Sequence, residues 1–190
     1  MEHAAENLSE QGRYPEAEKL DRQVIAAQTR VLGPDHPQTL RTEMFLAITL
    51  MKEGHYAEAD KLQTQVIENK RRILGPSHTS TLQSMELEAV CLSHEGRSSD
   101  SDRMFHEVID IAGRTNQPAT VDEAWYNFAT AEAARGNRNE AFADLDRAVK
   151  NGLVSAGYLA ADTELQSLHG DSRFEAAIAV ARAATHASMK

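Results

Sequence analysis

A nine-residue run occurs twice in this chain and limits what it can fold into. Residues 32–40 read LGPDHPQTL and residues 74–82 read LGPSHTSTL, an interval of 42. The same interval links RYPEAEKL, from Arg13, to HYAEADKL, from His55, and links Gly12, Gly54 and Gly96 in turn. A fixed period of this length marks one supersecondary unit copied along the chain. Such a unit cannot cover its apolar face alone, so successive copies must stack.

The side chains identify the unit as helical. Apolar residues make up 41% of the 190, while aromatics are only 5%. Ala and Leu carry most of the apolar count, which favours close helix packing over a sandwich or barrel. Ala17, Leu20, Val24 and Ala27 keep the three-and-four spacing of one buried helix face. Leu40, Leu46, Ala47 and Leu50 follow after the Gly33-Pro34 break. The pattern returns through Ala59, Leu62, Val66 and Ile67, then through Leu82, Met85, Ala89 and Leu92. Asp35, with Gln38 three residues on, is the expected cap of the second helix, and Ser77 of its copy. From Gly96 the turn reads GRSSDS and is eroded, and residues 115–118 read as a loop. The next repeat is compact: Gly136 lies 40 residues after Gly96, and Gly170 lies 34 after Gly136. The shortening amounts to about one turn per helix.

These intervals predict a repeat array over residues 1–152, turning at about 12, 54, 96 and 136, followed by capping helices over 153–190. Met1–Gln11 is short for a leading helix. The expectation is a degenerate first repeat or, preferred, a piece of a longer protein, whose uncovered flank offers a route to self-association.

Charge and motifs exclude several function classes. Lys and Arg number 20 against 29 Asp and Glu, a formal charge of −9. An acidic chain without a basic stripe is a poor partner for nucleic acid and for anionic lipid. Cys91 is the single cysteine, so no internal disulfide forms. The first residues lack a secretory signal's basic flank and apolar centre. No apolar run approaches the ~20 residues of a membrane span. A cytoplasmic location is expected. There is no GxGxxG, P-loop or GxSxG, and His106-Glu107 lacks the second histidine of a zinc-protease helix. His36 and His78 recur in register because of loop geometry, since repeats hold such residues apart rather than converging them on a metal. Lys70-Arg71-Arg72 reads as complementing a helix C-terminus, and Cys91 as a small core residue. No catalytic residue, cofactor or metal ligand is assigned, and the chain is not expected to be an enzyme.

The repeats resemble the tetratricopeptide repeat. In residues 122–152 the matching positions are Trp125, Phe128, Ala129, Gly136, Ala141, Leu145 and Ala148. The 42-residue units look like the longer variety of kinesin light chains and many bacterial proteins, where LGP-x-HP joins the helices. The closing LQSLHGDSRFEAAI is similar to the end segment of many bacterial members. Ser98 and Ser101 depart from the preferred Tyr and Ala. Met44-Phe45 and Glu86-Leu87 replace the usual paired Asn, leaving Asn127.

The resemblance implies an all-α solenoid, a right-handed superhelix of antiparallel hairpins with its leading helices on the concave face. It places Glu2, Glu6, Ser9 and Glu10 there from the first hairpin. Arg41, Met44, Ile48, Met51 and Lys52 follow from the second, and Gln83, Glu86, Val90, Ser93 and His94 from the third. The fourth adds Glu123, Tyr126, Asn127 and Thr130. Such a surface suits an extended or helical peptide with apolar anchors and some basic character. A carboxylate clamp is disfavoured, because Glu123 stands beside Asn127. The expected function is a non-catalytic scaffold that binds a protein or peptide in this groove. The alternative is a regulatory fragment of a larger bacterial signalling enzyme, such as a protein kinase.

Overall fold

The computed structural model describes the backbone of residues 2–152 and 154–188, and the side chains of 4–152 and 154–184. Ten α-helices and one 3-10 helix occupy the described residues, with no strand among them. They are α1 (Glu2–Glu10), α2 (Tyr14–Leu32), α3 (Pro37–Lys52), α4 (Tyr56–Ile73) and α5 (Thr79–His94). After these come α6 (Ser98–Arg114), α7 (Pro118–Ala134), α8 (Arg138–Ala148) and α9 (Ala156–Ala161). The 3-10 helix covers Thr163–Leu168, and α10 covers Ser172–Ser188. Contacts divide the chain into two compact units, Met1–Ser101 and Asp102–Lys190, with the division inside α6.

In the first unit each helix packs against the next from α1 to α5, and α3 also lies beside α1 and α5. The predicted stripes are the buried ones: Leu40, Leu46, Ala47 and Leu50 of α3, and Leu82, Met85, Ala89 and Leu92 of α5. Ala17 and Ala59 are fully buried, and their missing bulk is what lets neighbouring helices approach. Ser101, where an alanine is preferred, is buried too. Its hydroxyl donates to the Ala89 carbonyl at 2.8 Å, which removes the cost of the polar atom.

The duplicated LGP segment folds the same way both times, but its cap differs from expectation. The residue preceding the helix is His36 in one copy and His78 in the other, both extended, and neither Asp35 nor Ser77 takes that role. His36 Nδ1 accepts from the Gln38 amide at 3.2 Å, and His78 Nδ1 from the Ser80 amide at 3.2 Å. Thr39 and Thr81 close the loop from the other side, each donating to the glycine carbonyl, of Gly33 or Gly75, at 2.9 Å. Asp35 instead pairs with Arg72 at 2.7 Å. The basic triplet therefore disperses: Lys70 turns inward, Arg71 lies on the Met85 sulfur, and Arg72 meets Asp35.

In the second unit α7 begins at Pro118, inside the expected loop, because a proline is tolerated in the first helical turn. Ala129, Phe142 and Leu145 share one core with Leu159, Leu165, Leu168, Phe174, Ala177 and Ala181. The closing helices are thus built into this unit's interior. Phe105 stacks on Phe128 at 4.9 Å between ring centres, and Arg147 lies 4.5 Å over the Trp125 ring. Arg135 joins Asp102 and Glu132 at 2.8 and 2.7 Å, and Asn137 donates to the second Glu132 oxygen.

Candidate partner-binding surface

The leading helices of the first unit stand side by side, with α3 between α1 and α5. Where α1 meets α3, a cleft of 170 Å³ opens. Glu6, Ser9 and Glu10 line it from α1, and Phe45, Ile48 and Lys52 line it from α3. Its wall also includes Asp21 of α2, which is 3% exposed. Burial pushes that carboxyl up to about 6. Asp21 was missed in the sequence, yet a signal existed: it lies four residues after Ala17 and three before Val24, on the buried stripe itself.

The remaining residues of this face fall into two groups. Arg41, Lys52, Gln83 and His94 are exposed; Met44, Ile48, Met51, Val90 and Ser93 are half-buried. Arg41 lies 5.2 Å over the Phe45 ring, and His94 stacks on Tyr56 at 4.6 Å. Met44 turns its sulfur to Lys70 Nζ and Ser84 Oγ, at 3.6 and 3.7 Å. Glu86 is buried. Glu2 falls outside the described side chains. Lys70 has its ammonium on Ser84 Oγ at 2.8 Å and the Ser80 carbonyl at 3.2 Å, and burial lowers it to about 8.

In the second unit α7 and α9 enclose a cleft of 540 Å³. Glu123, Tyr126 and Asn127 line it from α7, joined by Asp122. Val154, Ser155 and Tyr158 line it from the segment after α8, and sequence reasoning missed them because that segment reads only as a cap. Glu123 is exposed and Asn127 half-buried, while Tyr126 and Thr130 are each 6% exposed. The Tyr126 hydroxyl donates to Asp162 Oδ2, and burial raises the phenol well above its ordinary range. Thr130 is turned back onto its own helix, donating to the Asn127 carbonyl at 2.8 Å.

Among the described residues, one triad offers ligand atoms close enough for a metal ion. Atoms of Glu18, Glu53 and His55 lie within 4.8 Å of one another. Arg22 Nε already donates to Glu18 Oε1 at 2.9 Å, and His55 Nδ1 lies 3.7 Å from Glu53 Oε2. Cys91 is buried, and desolvation pushes its thiol far above the range of a reactive cysteine.

Helical hairpins repeated along the chain, with the small residues Ala17, Ala59, Ser101 and Ala141 buried at equivalent places, define an all-α repeat protein of the solenoid class. Residues 1–72 match the tetratricopeptide repeat family. Solved structures extend the likeness of fold to the whole chain. A kinesin-light-chain-type protein of Podosopora anserina, built of nearly identical TPR-like repeats, is 24% identical with a TM-score of 0.68. That match covers 100% of this chain and 95% of the other. A single-substitution form of that protein gives 0.69 over 99% and 94%, also at 24% identity. BtubC (BKLC) from P. vanneervenii is 14% identical, with a TM-score of 0.67 over 97% of this chain and 78% of that one. No curated protein matches the chain. The fold is a tetratricopeptide-type α-solenoid with kinesin-light-chain-like repeats. No described helix is long and apolar enough to cross a membrane.

Proposed function

We propose that this chain is a non-catalytic interaction module that binds a polypeptide along the exposed faces of its leading helices. The observation that carries the reading is the alignment of α1, α3 and α5 in one unit. A row of helices held at fixed spacing is a binding surface already ordered before the partner arrives, so little conformational entropy is lost on association. Its chemistry is mixed: Glu6, Glu10, Phe45, Ile48 and Lys52 line the cleft, and Arg41 and Gln83 stand exposed on α3 and α5. A peptide with apolar anchors and a basic segment complements that mixture. The test is affinity capture with the whole chain, followed by binding measurements on the purified captured protein. Arg41→Glu with Gln83→Lys changes only exposed side chains. It is expected to weaken binding about tenfold or more, with an unchanged melting temperature. Equal binding by the double variant overturns the assignment of this face. Sedimentation of the chain alone separates partner binding from self-association along α1.

A further inference from the structure

We propose that the cleft between α7 and α9 is a receptor for a cationic side chain, arginine or lysine, of a protein partner. The inference rests on reading the α7 face as part of the partner-binding surface, and it names what that face takes. Asp122 and Glu123 line the cleft, together with Tyr126 and Tyr158, and no Lys or Arg is among the described lining residues. The two rings lie 5.5 Å apart and are tilted by 50°, and Tyr158 is 62% exposed although it is a large aromatic. An exposed tyrosine face backed by carboxylates attracts a cation through its ring quadrupole as well as through charge.

An unsatisfied group at the same place gives the second, independent observation. Asp122 is 1% exposed. One of its oxygens accepts from Asn151 Nδ2 at 2.8 Å, and the other, Oδ2, is buried with no hydrogen-bond partner among the described residues. A buried carboxylate left half-satisfied is costly, and an incoming cation relieves that cost. Burial raises Asp122, and desolvation against the cleft wall raises Glu123 although its side chain is exposed, the condition of carboxylates without a counter-ion. The charged groups that bear on the Tyr158 hydroxyl are Asp162, Glu164 and Glu123, all carboxylates. An anionic ligand would meet repulsion throughout. A volume of 540 Å³ falls within the roughly 300–1,000 Å³ of small-ligand clefts and admits a long side chain with its flanking backbone.

Protein-observed NMR titration of the whole chain tests this, with Nα-acetyl-arginine amide and Nα-acetyl-lysine amide as probes. Nα-acetyl-citrulline amide serves as the uncharged isostere. Saturable shifts are expected over residues 119–127 and 154–158 for the two cations and not for citrulline, fading as salt rises. Glu123→Gln and Tyr158→Ala change exposed side chains, and each is expected to weaken the arginine probe about fivefold or more. Asp122→Asn keeps the acceptor for Asn151 and weakens it further. Absence of saturable shifts, an equal response to citrulline, or wild-type affinity in both exposed variants overturns the proposal. Failure of the leading-helix reading looks different. There the captured partner ignores Arg41→Glu with Gln83→Lys, while the amide probes still titrate the cleft.

Discussion

Gln63 on α4 is fully buried, and neither polar atom of its amide has a hydrogen-bond partner among the described residues. An unsatisfied amide inside a protein costs about 1–3 kcal/mol. Gln63→Met keeps the shape and removes the polar atoms, so it is expected to raise the melting temperature by a few degrees in thermal denaturation. Glu88 is a second polar residue in the interior, 4% exposed, taking one hydrogen bond from Thr64 at 3.1 Å. Burial, with the Asp60 carboxyl beside it, pushes Glu88 up to about 8 from 4.5. Between these values the folded chain holds a proton that the unfolded chain has released. Stability contributed by the protonated carboxyl is therefore full below about 4.5 and is lost as pH rises toward 8. Urea denaturation is expected to show this decline, and Glu88→Gln to flatten it and stabilise the chain most at pH 8. An unchanged pH slope in that variant would refute the attribution to Glu88.

At the scale of elements, turns and caps place each helix. His36 and His78 cap α3 and α5 by accepting a backbone amide, which satisfies one of the orphan donors of the first turn. His78→Ala is expected to cost about 1 kcal/mol, and His78→Asn to restore most of it, because a cap needs an acceptor at that reach rather than an imidazole. Chemical denaturation of the two variants side by side checks this. Gly152 serves a different purpose from the turn glycines. Its φ is 77°, and a Cβ there would stand 2.9 Å from the Ala184 backbone carbon. At Gly136, with φ 83°, nothing lies within 4 Å of that position. Both substitutions by alanine incur left-handed strain of ~1 kcal/mol. Gly152→Ala is expected to cost clearly more than Gly136→Ala, because α10 must also move away. Equal losses in thermal melts would show that α10 yields without penalty.

At the scale of the whole molecule, the division at Ser101–Asp102 falls three residues past Ser98, where the repeat's tyrosine is lost. In solenoids stability is a sum of repeat and nearest-neighbour contributions, so a weak link separates what cooperates. Trp125, the one tryptophan, lies in the second unit, on α7, and reports that unit alone. Far-UV circular dichroism reports both. The urea midpoints from tryptophan fluorescence and from circular dichroism are expected to differ. Coincident midpoints would mean the chain unfolds as one body. The formal charge of −9 also acts at this scale, favouring basic partners through long-range steering that salt suppresses.

What the sequence by itself determined is the repeat, and with it the helices and their buried stripes. Leu40, Leu46, Leu82 and Met85 lie on stripes written in local spacing, and a period of 42 is a one-dimensional property. The loop between hairpins was legible in outline only. Asp35 and His36 are adjacent, either can cap, and the Arg72 partner that engages Asp35 lies on another helix. The repeat named the positions expected on the face, but not the clefts that some of them line. Asp21 became a wall of one because α1 and α3 close around it, and Tyr158 became a wall of the other because α9 returns to α7. Those juxtapositions depend on side chains distant in sequence filling shared volume, which periodicity does not encode. Tertiary packing alone decided which polar groups would be buried with their partners and which, like Asp122 Oδ2, would be left unsatisfied among the described residues.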